Sequence, residues 1–297
     1  MRRVLVSWFW AVRPFTLPAS IVPVLVGTAL AARDGSYDTG RFLPTLVGSM
    51  LVQIGTNLVD EYTEHATGGS RGKLLAPYKV IALGRLSSDA VRAGAVLSFG
   101  SASVLGLYLV ALTGWPLFLV CAASLVVAFG YSGGPRPLGH IGLGEPLVFV
   151  FMGLLMVMAT YYVQTAALTA EALVASLPVA CLVTAILVAN DLRDLEEDRQ
   201  VGKTTPITRF GRGFGVVFFL LLAAAAYVSV FLWVSAKPSL LPLLLVVGAL
   251  PKLRTTARLL TAGDDRTTLN ESLRGAAQLH LQFGILLAAG ILVSRFL

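Results

Sequence analysis

Long apolar runs alternate with short polar breaks from one end of the chain to the other. Nine of them approach the roughly 20 residues that a helix needs to cross a bilayer: 15–32, 42–59, 91–111, 114–130, 146–164, 172–189, 214–234, 238–253 and 276–295. The pattern predicts an all-α, polytopic membrane protein, a bundle of nine transmembrane helices forming a single membrane domain over residues 1–297. The eighth run is short and flanked by prolines. Pro18 and Pro23 predict a kink in the first run, tolerated where neighbouring helices re-satisfy the backbone.

Composition sharpens this picture. The 297 residues are 56% hydrophobic and only 13% charged, against roughly a quarter charged in an ordinary soluble domain. The opening "MRRVLVSWFW" is basic, but Arg13 and Pro14 interrupt it and no small-residue cleavage site follows, so it does not read as a secretory signal. Cys121 and Cys181 lie in apolar runs and read as buried free thiols rather than a disulfide framework. His65, His140 and His280 are too scattered for a His-based zinc site. His280 reads as a packing residue of the last span, and Tyr161 and Tyr162 as part of an interfacial aromatic belt.

The net charge of +7 points to nucleic acid only until the cations are placed. With residue 1 on the cytoplasmic side, only Arg33, Arg41, Lys237 and Arg295 of the 23 Lys and Arg fall outside. Basic flanks favour the cytoplasm. The charge therefore reports membrane topology and an attraction to anionic groups, with no nucleic-acid partner. Three cytoplasmic connections are long, 60–90, 131–145 and 190–213, and the first and third gather the acids.

The stretch "NDLRDLEEDRQVGKTTP" at 190–206 holds Asp191, Asp194, Glu196, Glu197 and Asp198. At 100° per residue, a helix continued through Asp198 puts Asn190, Asp191, Asp194 and Asp198 on one face. The second span ends "TNLVDEYTEHATGG", and the same arithmetic gathers Asn57, Asp60, Glu61 and Glu64. A lone cluster of this kind is usually a solvated helix end. Two clusters at matching depth are more than that, because crowded carboxylates repel one another and a hard cation such as Mg2+, which takes one or two carboxylates plus phosphate oxygens, relieves the repulsion. A pair of Mg2+ ions gripping a diphosphate fits, with Arg71, Lys73, Lys79, Arg136, Arg199 and Lys203 neutralising the remaining charge.

These residues resemble the UbiA superfamily of intramembrane prenyltransferases, and most closely its branch acting on 1,4-dihydroxy-2-naphthoate in menaquinone biosynthesis. The matching stretches are "RPFTLPASIVPVLVGTALA" at 13–31, "TNLVDEYTEHATGG" at 56–69, "APYKVIALGRLS" at 76–87, "YSGGPRPLGHIGLGEPLVFVFMG" at 131–153, "TYYVQT" at 160–165, "NDLRDLEEDRQVGKTTPITRFG" at 190–211 and "LNESLRGAAQLHLQFGILLAAG" at 269–290. The resemblance implies that Asn57 with the acids of its motif holds one Mg2+ and that Asp191, Asp194 and Asp198 hold the second and are catalytic. It implies Lys79 and Arg136 as diphosphate contacts, with Asn190, Tyr131, Arg71, Lys73, Arg199 and Lys203 around the substrate. The first motif departs from the branch: Glu61 and Glu64 stand at the usual Asp positions, and Asp60 at an Asn. Family spacing favours the glutamates as ligands, with Asp60 the alternative. His140 replaces a usual Tyr.

The reaction implied is Mg2+-dependent transfer of a polyprenyl group from its diphosphate to an aromatic acceptor, in a dry cavity open sideways to the bilayer. Other acceptors (4-hydroxybenzoate, homogentisate, a lipid glycerol) or terpene cyclisation remain within the superfamily. An ion-coupled transporter is the rival from another class, but such sites usually lie near the membrane midplane.

Overall fold

The computed structural model describes residues 2–67, 76–263 and 265–297. Arg71 and Lys73 lie outside the described residues. The chain is helical throughout, with one isolated bridge between Ile141 and Thr204 among the described residues. In chain order the elements are α1 (Arg2–Val12), α2 (Pro18–Arg33), α3 (Thr39–Ala66), α4 (Ser88–Thr113), α5 (Trp115–Ser132), α6 (Gly144–Thr165), α7 (Ala170–Arg193), α8 (Leu195–Gln200), α9 (Pro206–Ala236), α10 (Pro238–Ala262) and α11 (Arg266–Val293).

Eight of these helices are long and apolar enough to cross a membrane. A ninth span arises if α1 and α2, bent by 54° across Arg13–Leu17, count as one. The bend has a local cause. Pro14 and Pro18 open new helical turns, as proline favours at a helix's first position, and Arg13 between them takes a left-handed conformation with φ of 55°. The eighth run begins as 3₁₀ helix over Pro238–Ala249 before relaxing to α-helix. Residues Val148–Leu155 of α6 wind as π-helix.

Helix starts follow capping chemistry. Asp38, Ser87, Thr169, Thr205 and Asp265 each accept a backbone N–H of the first turn that follows, supplying donors that would otherwise be orphaned. Such caps matter most in a membrane, where water cannot take their place.

The most deeply enclosed span is α7, packed on α9, α6 and α11, while α11 also covers α2 and α10. Large apolar side chains such as Val96, Leu97, Val104 and Val126 instead face outward from α4 and α5, as a lipid-facing surface requires. His280 is buried within α11, and Tyr161 is buried at the far end of α6, where its hydroxyl donates to Asp34 Oδ2 at 2.8 Å. Cys181 is buried as expected, but Cys121 is only partly so because it borders a cavity described below.

Candidate active site

At one end of the bundle, α3 and α7 finish on either side of one chamber, and the loops 133–143 and 201–205 border it through His140 and Lys203. The two loops are tied where Thr204 N–H donates to the His140 carbonyl at 2.9 Å. The site is assembled from ion pairs, and each has a traceable local origin.

On the α7 side, helical winding breaks at Asp194 (φ −99°, ψ 9°) before α8 resumes. The break separates the three aspartates that a continuous helix would align. Asp194 turns to Arg193, accepting from Nε at 2.8 Å and from Nη2 at 2.5 Å. Asp191 and Asp198 share Lys203, whose Nζ lies 3.3 Å and 2.7 Å from them. All three aspartates are buried.

Lys203 reaches back over α8 through a Schellman turn. Gly202 N–H donates to the Arg199 carbonyl and Lys203 N–H to the Asp198 carbonyl, with Gly202 at φ of 71°, the left-handed position that glycine occupies without strain. "VGK" after the acids is the signal for this turn. Burial alone would lower the Lys203 pKa, but Asp191 and Asp198 outweigh it and hold the ammonium well above the usual lysine range.

On the α3 side the motif splits in two. Asn57 Nδ2 donates to the Val12 carbonyl and to Thr16 Oγ1, both at 2.9 Å, tying α3 to the bend between α1 and α2. Asp60 accepts from Arg13 Nη1 at 2.6 Å and from Ser132 Oγ at 3.1 Å. Glu61 and Glu64 face the other way, onto the segment 76–86. Glu61 accepts from Ile81 N–H at 3.0 Å and lies 3.6 Å from Lys79 Nζ, and Glu64 pairs with the same ammonium. Lys79 is 1% exposed. It is thus enclosed by the two glutamates, away from the cavity.

Between these helix ends opens a chamber of about 240 Å³. Arg13, Asn57, Asp60, Tyr131, Asn190 and Lys203 face it at the polar end, and Val52, Phe151, Met152, Met156, Val183 and Ile186 deeper in. A second, more apolar cavity of about 340 Å³ continues between α3, α4, α5 and α6, sharing Ser49, Val52, Ser124, Phe151 and Met156 with the first. Tyr131 reaches the chamber because Gly144 leaves it room: a Cβ there would stand 3.2 Å from the tyrosine hydroxyl.

The other sequence candidates are placed as follows. His140 lines the chamber. Arg136 is exposed in the 133–143 loop. Arg199 does not join the cluster, because α8 turns it outward to Glu196 at 3.2 Å. Two residues escaped sequence reasoning. Arg13 reads there only as a flanking cation, although "RP" at a helix break was a visible mark. Glu145 is 3% exposed, neither of its carboxylate oxygens has a hydrogen-bond partner among the described residues, and it interacts electrostatically with Asp191 and Lys203.

The oxygen donors suit a hard divalent cation. Among the described residues no three His, Cys, Asp or Glu converge, but Mg2+ typically takes one or two carboxylates plus substrate oxygens. The pairs available here, Asn57 with Asp60 and Asp191 with Asp198, match that habit. Lysine and arginine hold those carboxylates in this structure, so positive charge already belongs at each position.

The family model of the UbiA prenyltransferase family matches residues 20–289. The chain is 31% identical over 291 residues to the 1,4-dihydroxy-2-naphthoate octaprenyltransferase of Bacillus subtilis (strain 168), covering 96% of this chain and 91% of that one. It is 33% identical over 211 residues to the Escherichia coli (strain K12) enzyme of the same name, covering 69% and 68% of the two chains. Among solved structures, a UbiA homologue from Archaeoglobus fulgidus bound to GPP and Mg2+ superimposes with a TM-score of 0.64 over 98% of both chains at 14% identity, a likeness of fold.

Proposed function

The chain belongs to the UbiA prenyltransferase family, and from that premise we propose that it transfers a polyprenyl group to 1,4-dihydroxy-2-naphthoate at the α3–α7 end of the bundle. The observation that supports this best is the chamber itself. Its polar mouth carries Asp60 with Arg13 on one side and Lys203 with its two aspartates on the other, and an apolar interior of two joined lobes runs away from it. A polyprenyl diphosphate has the same division, an anionic head on an apolar tail.

In this reading Asn57 with Asp60, and Asp191 with Asp198, would each hold a Mg2+. Such ions supply positive charge where the departing diphosphate oxygens become negative. Arg13 and Lys203 exchange their carboxylate partners for diphosphate oxygens and stay in place to stabilise the leaving group. The allylic C–O bond breaks with its electron pair going to the diphosphate. The ring carbon bearing the carboxylate attacks the resulting cation. Loss of that carboxylate as CO2 returns its electron pair to the ring, leaving prenylated diol, diphosphate and CO2. Apolar walls keep water from the cation, and the second lobe receives the tail.

Asp60, rather than Glu61 or Glu64, is the acid of the first motif that acts on substrate, since it lines the chamber while the glutamates face Lys79, with Glu61 also 3.8 Å from Arg13. Asp194 serves with Arg193. The polar end faces the cytoplasm, where the basic residues concentrate. The test is to incubate purified protein with Mg2+, geranylgeranyl diphosphate and a panel of aromatic acids, and to identify products by mass spectrometry. Prenylated naphthalene diol and CO2 are expected. Exclusive prenylation of 4-hydroxybenzoate or homogentisate would replace the acceptor, and release of diphosphate with a cyclic terpene would replace the reaction.

A further inference from the structure

A second, smaller recess of about 50 Å³ lies on the other side of Leu273, which borders both it and the chamber. Its walls are aromatic, from Trp10, Phe15 and Tyr78, and its polar groups are Arg193, Asn270 and Arg274. No acid lines it among the described residues. Asn270 and Arg274 stand at i and i+4 on α11 and so present one face.

The donors here have capacity to spare. Arg193 is buried, and it gives Nε and Nη2 to Asp194 and Asn190, but its Nη1 makes no hydrogen bond among the described residues. The side chains of Asn270, half-buried, and Arg274, exposed, likewise make no hydrogen bond among the described residues. The Arg193 guanidinium lies 5.6 Å from the centre of the Tyr78 ring, and Arg13 lies 4.8 Å from that same ring, so Tyr78 connects the recess to the polar mouth of the chamber.

We propose that this recess holds the carboxylate of the aromatic acceptor. A flat anion matches the fork of a guanidinium, and the aromatic walls match the ring plane next to it. The volume admits a carboxylate, since about 10–15 Å³ of cavity already holds one water molecule, but at about 50 Å³ against the chamber's 240 Å³ it is too small for a fused ring. The ring must therefore project past Leu273 toward the chamber, where the allylic carbon arrives. The arrangement also favours product release. Once CO2 has left, the neutral prenylated diol keeps no group for the recess to hold.

This rests on the acceptor reading above, and the experiment separates the two. Wild type, Asn270→Ala/Arg274→Gln and Arg274→Lys, all as full chain in lipid nanodiscs, are assayed with 1,4-dihydroxy-2-naphthoate and with 1,4-dihydroxynaphthalene, the same diol without the carboxylate. The double variant should raise KM for the naphthoate by about tenfold or more, with Arg274→Lys intermediate because it restores charge without the fork. KM for geranylgeranyl diphosphate and turnover of the carboxylate-free diol should not change. Equal losses on both acceptors, an unchanged naphthoate KM, or a raised KM for the diphosphate would each overturn the proposal. If wild type prenylates neither acceptor, the reaction is misread, and the recess is judged by calorimetry with 2-naphthoate alone. Binding to wild type that the double variant weakens about tenfold supports it, and absent or unaltered binding sinks it.

Discussion

Asp60 and Glu61 are neighbours in sequence whose carboxylates both approach Arg13, Asp60 at 2.6 Å and Glu61 at 3.8 Å, but otherwise face different ways. Asp60 meets Arg13 at the chamber mouth, while Glu61, fully buried, receives Ile81 N–H and faces Lys79. Replacing Asp60 with Asn should therefore lower Mg2+-dependent turnover by two orders of magnitude or more, about 3 kcal/mol of barrier, with folding little changed. Glu64→Gln should do the reverse: it takes from the buried Lys79 an anionic partner and should lower thermal stability while folded protein keeps most of its rate. Turnover per mole of monodisperse protein, measured beside its unfolding temperature, separates the two. If Glu64→Gln or Glu61→Gln silenced turnover at unchanged stability while Asp60→Asn did not, the ligands that the family spacing favours would be the right ones. Lys203 yields a pH prediction. Its folded pKa lies above the ordinary lysine value near 10.4, because Asp191 and Asp198 outweigh the cost of burial. The stability it contributes is thus complete below that value and is lost only as pH rises through the higher folded one. Unfolding temperature should show no Lys203-dependent step between pH 6 and 9. Lys203→Met leaves two buried carboxylates facing each other and should be destabilised across that range, with Lys203→Met/Asp198→Asn recovering stability but not turnover. A double variant no more stable than Lys203→Met would refute the shared ion pair.

The spans themselves were legible because their length is set by membrane thickness and their composition by lipid. The directions of the acids were less so. Helical arithmetic assigns one face to Asn57, Asp60, Glu61 and Glu64, yet their partners sit 47 residues earlier, at Arg13, and 15 residues later, at Lys79. Contacts at such separations leave no periodic trace. The same arithmetic failed at Asp194, where winding breaks, and it had no means of finding α1 as a separate helix or the π-helical stretch of α6. How closely the helices approach was equally hidden, and two glycines show why each needs its own argument. A Cβ at Gly153 would stand 2.2 Å from Ala180 Cβ and 2.3 Å from Ala180 Cα, so backbone itself blocks it. A Cβ at Gly284 would meet the γ-methyls of Val22 at 2.2 Å and 2.7 Å, but its Cβ only at 3.0 Å. Both Gly153→Ala and Gly284→Ala should destabilise the bundle, by about 1–3 kcal/mol as overpacking does. Val22→Ala should largely rescue the second, whereas Ala180→Gly should not rescue the first. Unfolding temperatures of the four single and double variants check this, and rescue of Gly153→Ala would mean that α6 and α7 can move apart.

At the scale of the whole molecule, the reaction explains the charge distribution. An anionic diphosphate must reach Arg13 and Lys203 from water, while the polyprenyl tail must remain out of it. Both needs are met if the α3–α7 end faces the cytoplasm and the apolar lobes run into the bilayer. The other cations agree. Arg209, Arg212, Arg254, Arg258, Arg266 and Arg274 lie toward the same end as Lys203, and Arg33, Arg41 and Lys237 toward the other, where Arg33 and Lys237 both pair with Glu171. Single cysteines placed at Gly35 and Lys237, in the Cys121→Ser/Cys181→Ala background, should react with a membrane-impermeant maleimide added to intact cells. One at Gly202, in the turn that aims Lys203, should react only after the membrane is opened. Because one missed or added span would exchange the ends of every later helix, the three positions test the spans from α3 to α9 along with the orientation. Labelling of Gly202 in intact cells, with Gly35 and Lys237 protected, would invert the molecule and place the diphosphate site outside. Labelling of Gly35 and Gly202 together from outside would instead mean that an odd number of the five spans between them, α3 to α7, fails to cross.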